Sequence, residues 1–278
     1  MPLTGKAAFD LQGHRGARGH APENTLPGFE RALAFGVTTF ELDVGVSRDG
    51  VVVIHHDRRL NPDLARGPDG RWVAAPTPLI RSLGFDELRR YDVGRLRPGS
   101  EYARGFPHQQ PLDGARIPAL GELFERHRHG RVRFNIEMKL LAGAPDETLP
   151  PEPFVRAVVA VVRDAGMESR CTLQSFDWRA VEAVERDAPG IATAYLTERE
   201  DSDPRKVGAA GARTWSPDFR ALDAAAVAAA RALRLRVIPW TVNEPGDIRR
   251  MLELGVDGII SDYPDRVKRE LEVRKQAP

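Results

Sequence analysis

The chain has 278 residues, 41% hydrophobic and 29% charged, an ordinary composition for a soluble globular protein. Its 41 Lys and Arg nearly balance 40 Asp and Glu, and a net charge of +1 argues against nucleic acid as the main partner. One cysteine, Cys171, excludes an intrachain disulfide and a cysteine-based zinc site; no apolar run reaches the roughly 18–20 residues of a membrane span, so no stable membrane insertion is expected.

The opening MPLTGKAAFD lacks the apolar stretch of a secretion signal. This points to the cytoplasm for the sequence as it stands, or to the periplasm if the chain is a processed form. From there, short apolar segments alternate with helical ones. Strands are expected at Ala8–Gly13, Thr38–Val44, Val132–Met138, Cys171–Ser175, Ile191–Leu196, Arg213–Ser216, Arg236–Thr241 and Asp257–Ser261. Helices are expected at Leu26–Phe35, Glu152–Asp164, Trp178–Asp187, Ala221–Ala232 and Gly246–Leu254, with a charged closing helix over Lys268–Pro278. Asn24 or Thr25 caps the first helix, Pro27 lies in its first turn and Gly36 follows its end. About eight strands in about 250 residues fit a (β/α)8 TIM barrel. An open doubly wound sheet is the alternative, but no Gly-rich dinucleotide loop follows any strand.

Two regions break this rhythm. Ser47–Val53 carries Arg48-Asp49-Gly50 between alternating apolar positions and reads as a hairpin. Arg58–Pro118 is rich in Pro, Gly and Arg with one helical piece near Phe85–Tyr91, which reads as a functional insertion or lid. With no linker in sight, the whole of 1–278 is expected to be one domain, with an insertion of about 47–118 after the second strand.

Polar residues gather at the downstream ends of strands, where barrel enzymes place their sites. The first strand ends in Gly13-His14-Arg15-Gly16; Glu41 and Asp43 share one face of the second, and Glu137 and Lys139 one face of the third. Three acids and a lysine at one mouth call for a divalent cation. If Asp49-Gly50 is a two-residue turn, paired residue numbers sum to 99 and Asp43 lies opposite His56, about 5 Å away between Cβ atoms. A bulge at Gly45 would instead bring in His55.

The segments GHRGARGHAPENTLPGF (Gly13–Phe29), ELDV (Glu41–Val44) and His56-Asp57 resemble the glycerophosphodiester phosphodiesterase family. So do Ile136-Glu137-Met138-Lys139, Gln174-Ser175-Phe176, Trp240-Thr241-Val242-Asn243 and Asp257-Gly258-Ile259, so the resemblance runs nearly the whole chain in order. It implies a barrel with an insertion after the second strand, a metal held by Glu41, Asp43 and Glu137, and His14 and His56 as the acid–base pair. Ser47, Ser261 and the extra His55 depart from the commoner pattern without touching these residues.

An all-carboxylate triad suits a hard cation, Ca²⁺ or Mg²⁺, over Zn²⁺. Arg15 is expected to clamp the non-bridging phosphate oxygens and Lys139 to add a point charge. Trp240 is expected to line the substrate pocket. Asp262 reads as a turn or cap residue, Glu23 and Asn24 as structural, and Gln174 as either. His20, His108, His127 and His129 read as solvated. The implied reaction is metal-dependent cleavage of a small glycerophosphodiester, such as glycerophosphocholine or glycerophosphoethanolamine, to sn-glycerol 3-phosphate and an alcohol. The alternatives are a lipid phosphodiesterase acting on lysolipid or sphingolipid head groups, and a non-catalytic phosphoester-binding barrel. Nothing in the sequence fixes an oligomeric state.

Overall fold

The computed structural model describes residues 8–140 and 142–276. Its strands are β1 (Asp10–Gly13), β2 (Thr39–Val46), β3 (Val52–Ile54), β4 (Arg133–Met138), β5 (Cys171–Ser175), β6 (Ala192–Thr197), β7 (Thr214–Pro217), β8 (Arg236–Val237) and β9 (Gly258–Ser261). The α-helices are α1 (Leu26–Ala34), α2 (Phe85–Leu88), α3 (Glu101–Gly105), α4 (Leu120–His127), α5 (Pro151–Asp164), α6 (Trp178–Asp187), α7 (Pro204–Ala209), α8 (Ala224–Ala232), α9 (Pro245–Leu254) and α10 (Pro264–Gln276).

All these strands but β3 run parallel, in the order β8-β7-β6-β5-β4-β2-β1-β9. The two ends of that order meet. The Asp257 N–H donates to the Val237 carbonyl at 2.9 Å, Ile260 to Pro239 at 3.0 Å and Val242 to Ile260 at 2.9 Å, so the sheet curls into a TIM barrel. Of the expected closing stave 236–241, the first two residues form the continuous strand, Pro239 brings no N–H to the ladder, and Trp240 pairs again through an isolated parallel bridge to Asp218. The helices absent from the sequence reading include α4, eight residues directly after the Pro- and Gly-rich insertion, and α7, six residues capped by the Asp203 side chain and too short for a periodic signal.

The barrel wall sorts its side chains by alternation. On β2, Phe40, Leu42 and Val44 join the apolar layer beneath the helices, while Thr39, Glu41 and Asp43 turn inward. The interior is polar where many barrels fill it with branched aliphatics. Asn135 donates to Gln12 at 2.8 Å and to Gln174 at 3.0 Å, and Gln174 donates to Glu41 Oε1 at 3.0 Å. These amides fix one oxygen of Glu41 from below.

Between β2 and β4 the chain leaves the barrel. A separate apolar cluster of Val53, Leu60, Ala65, Ile80, Leu88, Val93 and Ile117 anchors this insertion against the hairpin. The β2–β3 register corrects the sequence reading: Val44 pairs with Ile54 and Val46 with Val52, so the sum is 98. The turn holds three residues, not two, with Ser47 N–H donating to Val51 O at 2.9 Å and Gly50 N–H to Ser47 O at 3.1 Å. Asp43 therefore faces His55, whose N–H donates to the Asp43 carbonyl at 3.0 Å, and no bulge at Gly45 is needed.

Candidate active site

The site is built at the downstream rim of β1, β2 and β4. Strand β1 delivers His14 onto a tight loop. A Cβ on Gly13 would lie 2.1 Å from the Gly16 carbonyl oxygen, so only glycine lets the loop fold back at that point. Arg15 takes a left-handed backbone with φ 51°, and its N–H donates to Glu41 Oε2 at 3.1 Å. Both oxygens of Glu41 are thus held, one by Gln174 and one by the loop.

Parallel pairing sets Asp43 beside Glu137, and Glu41 lies one inward position earlier on β2. Each of the three offers a carboxylate oxygen within 4.8 Å of the others, and all three are buried. Asn24, also in the left-handed region, donates to Asp43 Oδ2 at 2.8 Å, whereas Asp43 Oδ1 is buried without a hydrogen-bond donor. Lys139 Nζ lies 2.6 Å from Glu137 Oε1 and 3.6 Å from Asp43 Oδ1, and Arg15 Nε lies 3.3 Å from Asp43 Oδ2. Two cations do not balance three buried acids. Burial, followed by the charges of Asp43 and Glu137, drives the Glu41 carboxyl far above its usual range. Glu137 is also raised, by burial first and against the pull of Lys139. An under-donated oxygen on Asp43 and two acids pushed toward protonation fit a divalent cation, whose charge removes the conflict.

His14 and His56 flank this triad in matching poses. His14 Nδ1 is 2.7 Å from Asp262 Oδ1, which leaves Nε2 facing Glu41 Oε2 at 3.9 Å. His56 Nδ1 is 2.6 Å from Asp57 Oδ1 and its ring lines the same cavity. A carboxylate on Nδ1 fixes the tautomer and leaves Nε2 available for proton exchange. Burial lowers the His14 pKa to about 4, with Asp262 pulling it up and Arg18 pushing it down. The sequence placed His56 beside the acids through a register that does not form. It reaches the cavity because β3 stops at Ile54 and alternation ends there. His55 is buried on the other side, against Glu23 and Asn24 beneath the insertion, with Nε2 3.3 Å from the Arg59 carbonyl.

Four readings of individual residues change. Asp262 is no simple turn residue: besides His14 it accepts from Arg18 Nε at 2.7 Å, Arg18 Nη2 at 3.1 Å and Asn243 at 2.7 Å. Its carboxyl is held far below the usual range against its burial, mainly by Arg18 and His14. Arg15 is buried and donates to Glu23 Oε1 at 2.8 Å, so Glu23 directly orients the guanidinium. His127 is buried, packed edge-on against Phe40 at 5.1 Å, where the sequence left it solvated. His20 is half-buried, 2.6 Å from Asp265. Trp240 does line the cavity, donating its indole N–H to Ser216 O at 2.9 Å.

The sequence reading missed Arg18 and Tyr102. Tyr102, on α3 of the insertion, donates a short hydrogen bond to Glu23 and accepts from Arg18 Nη1 at 3.2 Å. Phe106 stacks beneath the Arg18 guanidinium at 4.6 Å. The resulting cavity is about 330 Å³, and His14, Arg15, Arg18, Glu41 and Lys139 are among its lining residues.

The sequence profile of the glycerophosphoryl diester phosphodiesterase family matches residues 14–266. The chain belongs to this family. A glycerophosphodiester phosphodiesterase of Bacillus altitudinis is 28% identical over 270 residues, covering 94% of this chain and 98% of its own. That of Caldanaerobacter subterraneus subsp. tengcongensis is 27% identical over 256 residues, 91% and 93% of the two chains. A crystal structure from Silicibacter pomeroyi DSS-3, assigned to the glycerophosphoryl diester phosphodiesterases, has a TM-score of 0.91 at 38% identity, covering 96% and 94%. A phosphodiesterase of Oleispira antarctica, solved with its product sn-glycerol-3-phosphate, shares the fold at 24% identity, TM-score 0.76, covering 95% and 96%. As a member of the glycerophosphoryl diester phosphodiesterase family the chain is an enzyme, a phosphoric diester hydrolase. No helix among its described residues is long and apolar enough to cross a membrane.

Proposed function

We propose that this chain, working as one catalytic domain, hydrolyses glycerophosphodiesters such as glycerophosphocholine and glycerophosphoethanolamine to sn-glycerol 3-phosphate and the free alcohol. The observation that carries this reading is the triad Glu41, Asp43 and Glu137 flanked by two histidines, each seated on an aspartate through Nδ1. The name and bound product of the Oleispira antarctica enzyme support the same product. Glu41, Asp43 and Glu137 would hold a hard divalent ion, Ca²⁺ or Mg²⁺. When bound, that ion supplies Lewis-acid neutralisation of the phosphodiester charge.

The remaining chemistry falls to side chains. Arg15, held by Glu23, points a forked donor at the non-bridging oxygens, and Lys139 adds a positive charge from the opposite strand. One histidine takes a proton at Nε2 from the attacking oxygen, and the other returns a proton from Nε2 to the departing alkoxide. Either a water or the neighbouring hydroxyl of the glycerol can serve as that oxygen. Both rings keep Nδ1–H on their aspartate, so that only Nε2 gains or loses the proton.

The test uses protein stripped with chelator, then supplied with Ca²⁺, Mg²⁺ or Mn²⁺ and offered both diesters. Release of sn-glycerol 3-phosphate that depends on the added ion, and loss of turnover in His14→Ala and His56→Ala, is the expected result. Substantial residual turnover in both variants, or release of phosphocholine in place of choline, would overturn the reading.

A further inference from the structure

A second groove of about 500 Å³ shares a wall with the reaction cavity, and Phe176, Leu196 and Glu198 line both spaces. Phe176 and Trp240 meet there at 87° with ring centroids 5.3 Å apart, a two-walled aromatic corner. Neither indole here has a donor to offer. The Trp240 N–H is bound to Ser216 O at 2.9 Å and the Trp178 N–H to Leu196 O at 3.1 Å. The two indoles therefore offer a hydroxylated alcohol only ring carbon, whereas a quaternary ammonium group requires no donor and is attracted to π faces.

Charge agrees with shape. Glu198 is exposed on the rim shared by the two spaces. The nearby Arg220 is taken by Asp218, which leaves Glu198 without an ion pair among the described residues. Burial, then Asp218 and Glu200, raises the Glu198 carboxyl above its usual range against the opposing pull of Arg220 and Lys139. The cavity wall thus combines Arg15, Arg18 and Lys139 with the aromatic faces of Phe176 and Trp240 and the carboxylate of Glu198.

We propose that Phe176, Trp240 and Glu198 form a binding site for the departing alcohol of the substrate and select alcohols that carry a cationic nitrogen, above all a quaternary ammonium. This rests on the phosphodiesterase reading above. It assigns the two sides of the scissile phosphate: the glycerol lies toward the acids, and the cationic alcohol leaves past the aromatic corner.

The discriminating substrate pair is glycerophosphocholine and the analogous ester of 3,3-dimethylbutanol, in which carbon replaces the charged nitrogen at equal shape. The ratio of their kcat/KM values is measured for the metal-loaded wild type, for Glu198→Gln and for Trp240→Leu. Intrinsic leaving-group differences cancel when ratios are compared between proteins. The expected result is a ratio about tenfold smaller in each variant than in the wild type, in line with a partly desolvated cation–π and ion-pair contact. Glu198 is exposed, so its replacement leaves the packed core untouched. A ratio unchanged by both substitutions overturns the proposal while leaving the phosphodiesterase reading standing. A wild type that hydrolyses neither ester removes that reading, and this proposal with it.

Discussion

At the scale of single residues, the site is a set of charges held by other charges. Asp262 is the clearest case, because its carboxylate meets His14, Arg18 and Asn243 at once. In Asp262→Asn the His14 ring loses the charge that fixes its tautomer, and an amide nitrogen can face Nδ1. We expect kcat to fall by roughly 10²–10⁴-fold with KM within about threefold, since the change affects proton transfer and not substrate contact. Steady-state kinetics decide it, and activity within twofold of wild type refutes it. Sequence spacing could not show this role. Glu41 and Asp43 were legible because two residues apart on a strand means one face, and the pairing of Asp43 with Glu137 follows once β2 and β4 are neighbours. Asp262 is 248 residues from His14, and only closure of the barrel through β1 and β9 brings them together. Arg18 was hidden for a different reason: in a Gly-rich turn, an arginine reads as solvated.

At the scale of elements, the insertion braces the loop that follows β1. Tyr102 on α3 donates to Glu23, Phe106 stacks on Arg18, and Gln109 Nε2 donates to the Arg18 carbonyl at 2.8 Å. Burial, then the charge of Glu23, pushes the Tyr102 phenol above its usual pKa, so it stays a donor through the neutral range. In Tyr102→Phe the buried Glu23 keeps Arg15 but loses a donor, at an expected cost of about 1–2 kcal/mol in urea unfolding. The same change should lower kcat/KM severalfold, because Glu23 orients Arg15. Unchanged stability and unchanged kinetics would show that the brace does nothing. The alternation of strand and helix signals made the barrel staves readable from sequence. The brace was not readable, because α3 is five residues long and its contacts lie in a stretch without periodicity. The hairpin shows how narrow that limit is: one extra turn residue shifted the whole register and exchanged His56 for His55 opposite Asp43.

At the scale of the molecule, the barrel buries a like-charged cluster at its mouth, and the fold bears that cost unless an ion relieves it. Without the ion, Glu41 and Glu137 have folded-state pKa values raised above those of the unfolded chain. As pH rises through the unfolded carboxylate range, the unfolded chain releases its protons first. The chelated protein therefore loses stability with rising pH on account of these two groups. The ion competes with those same protons, so its apparent affinity grows as pH rises. The two trends add. The gap in melting temperature between chelated and Ca²⁺-loaded protein should widen from pH 5 to pH 8 and release protons on binding. At free ion about a hundred times Kd the linkage amounts to about 2.7 kcal/mol, a rise of several degrees for a domain of this size. Scanning calorimetry across pH, with titrations in buffers of different ionisation enthalpy, measures both quantities. Asp43→Asn should abolish the gap, because it removes a carboxylate ligand and the like charge that raises Glu41. A gap independent of pH, with no protons released, would mean that the acids do not meet the ion as a buried cluster.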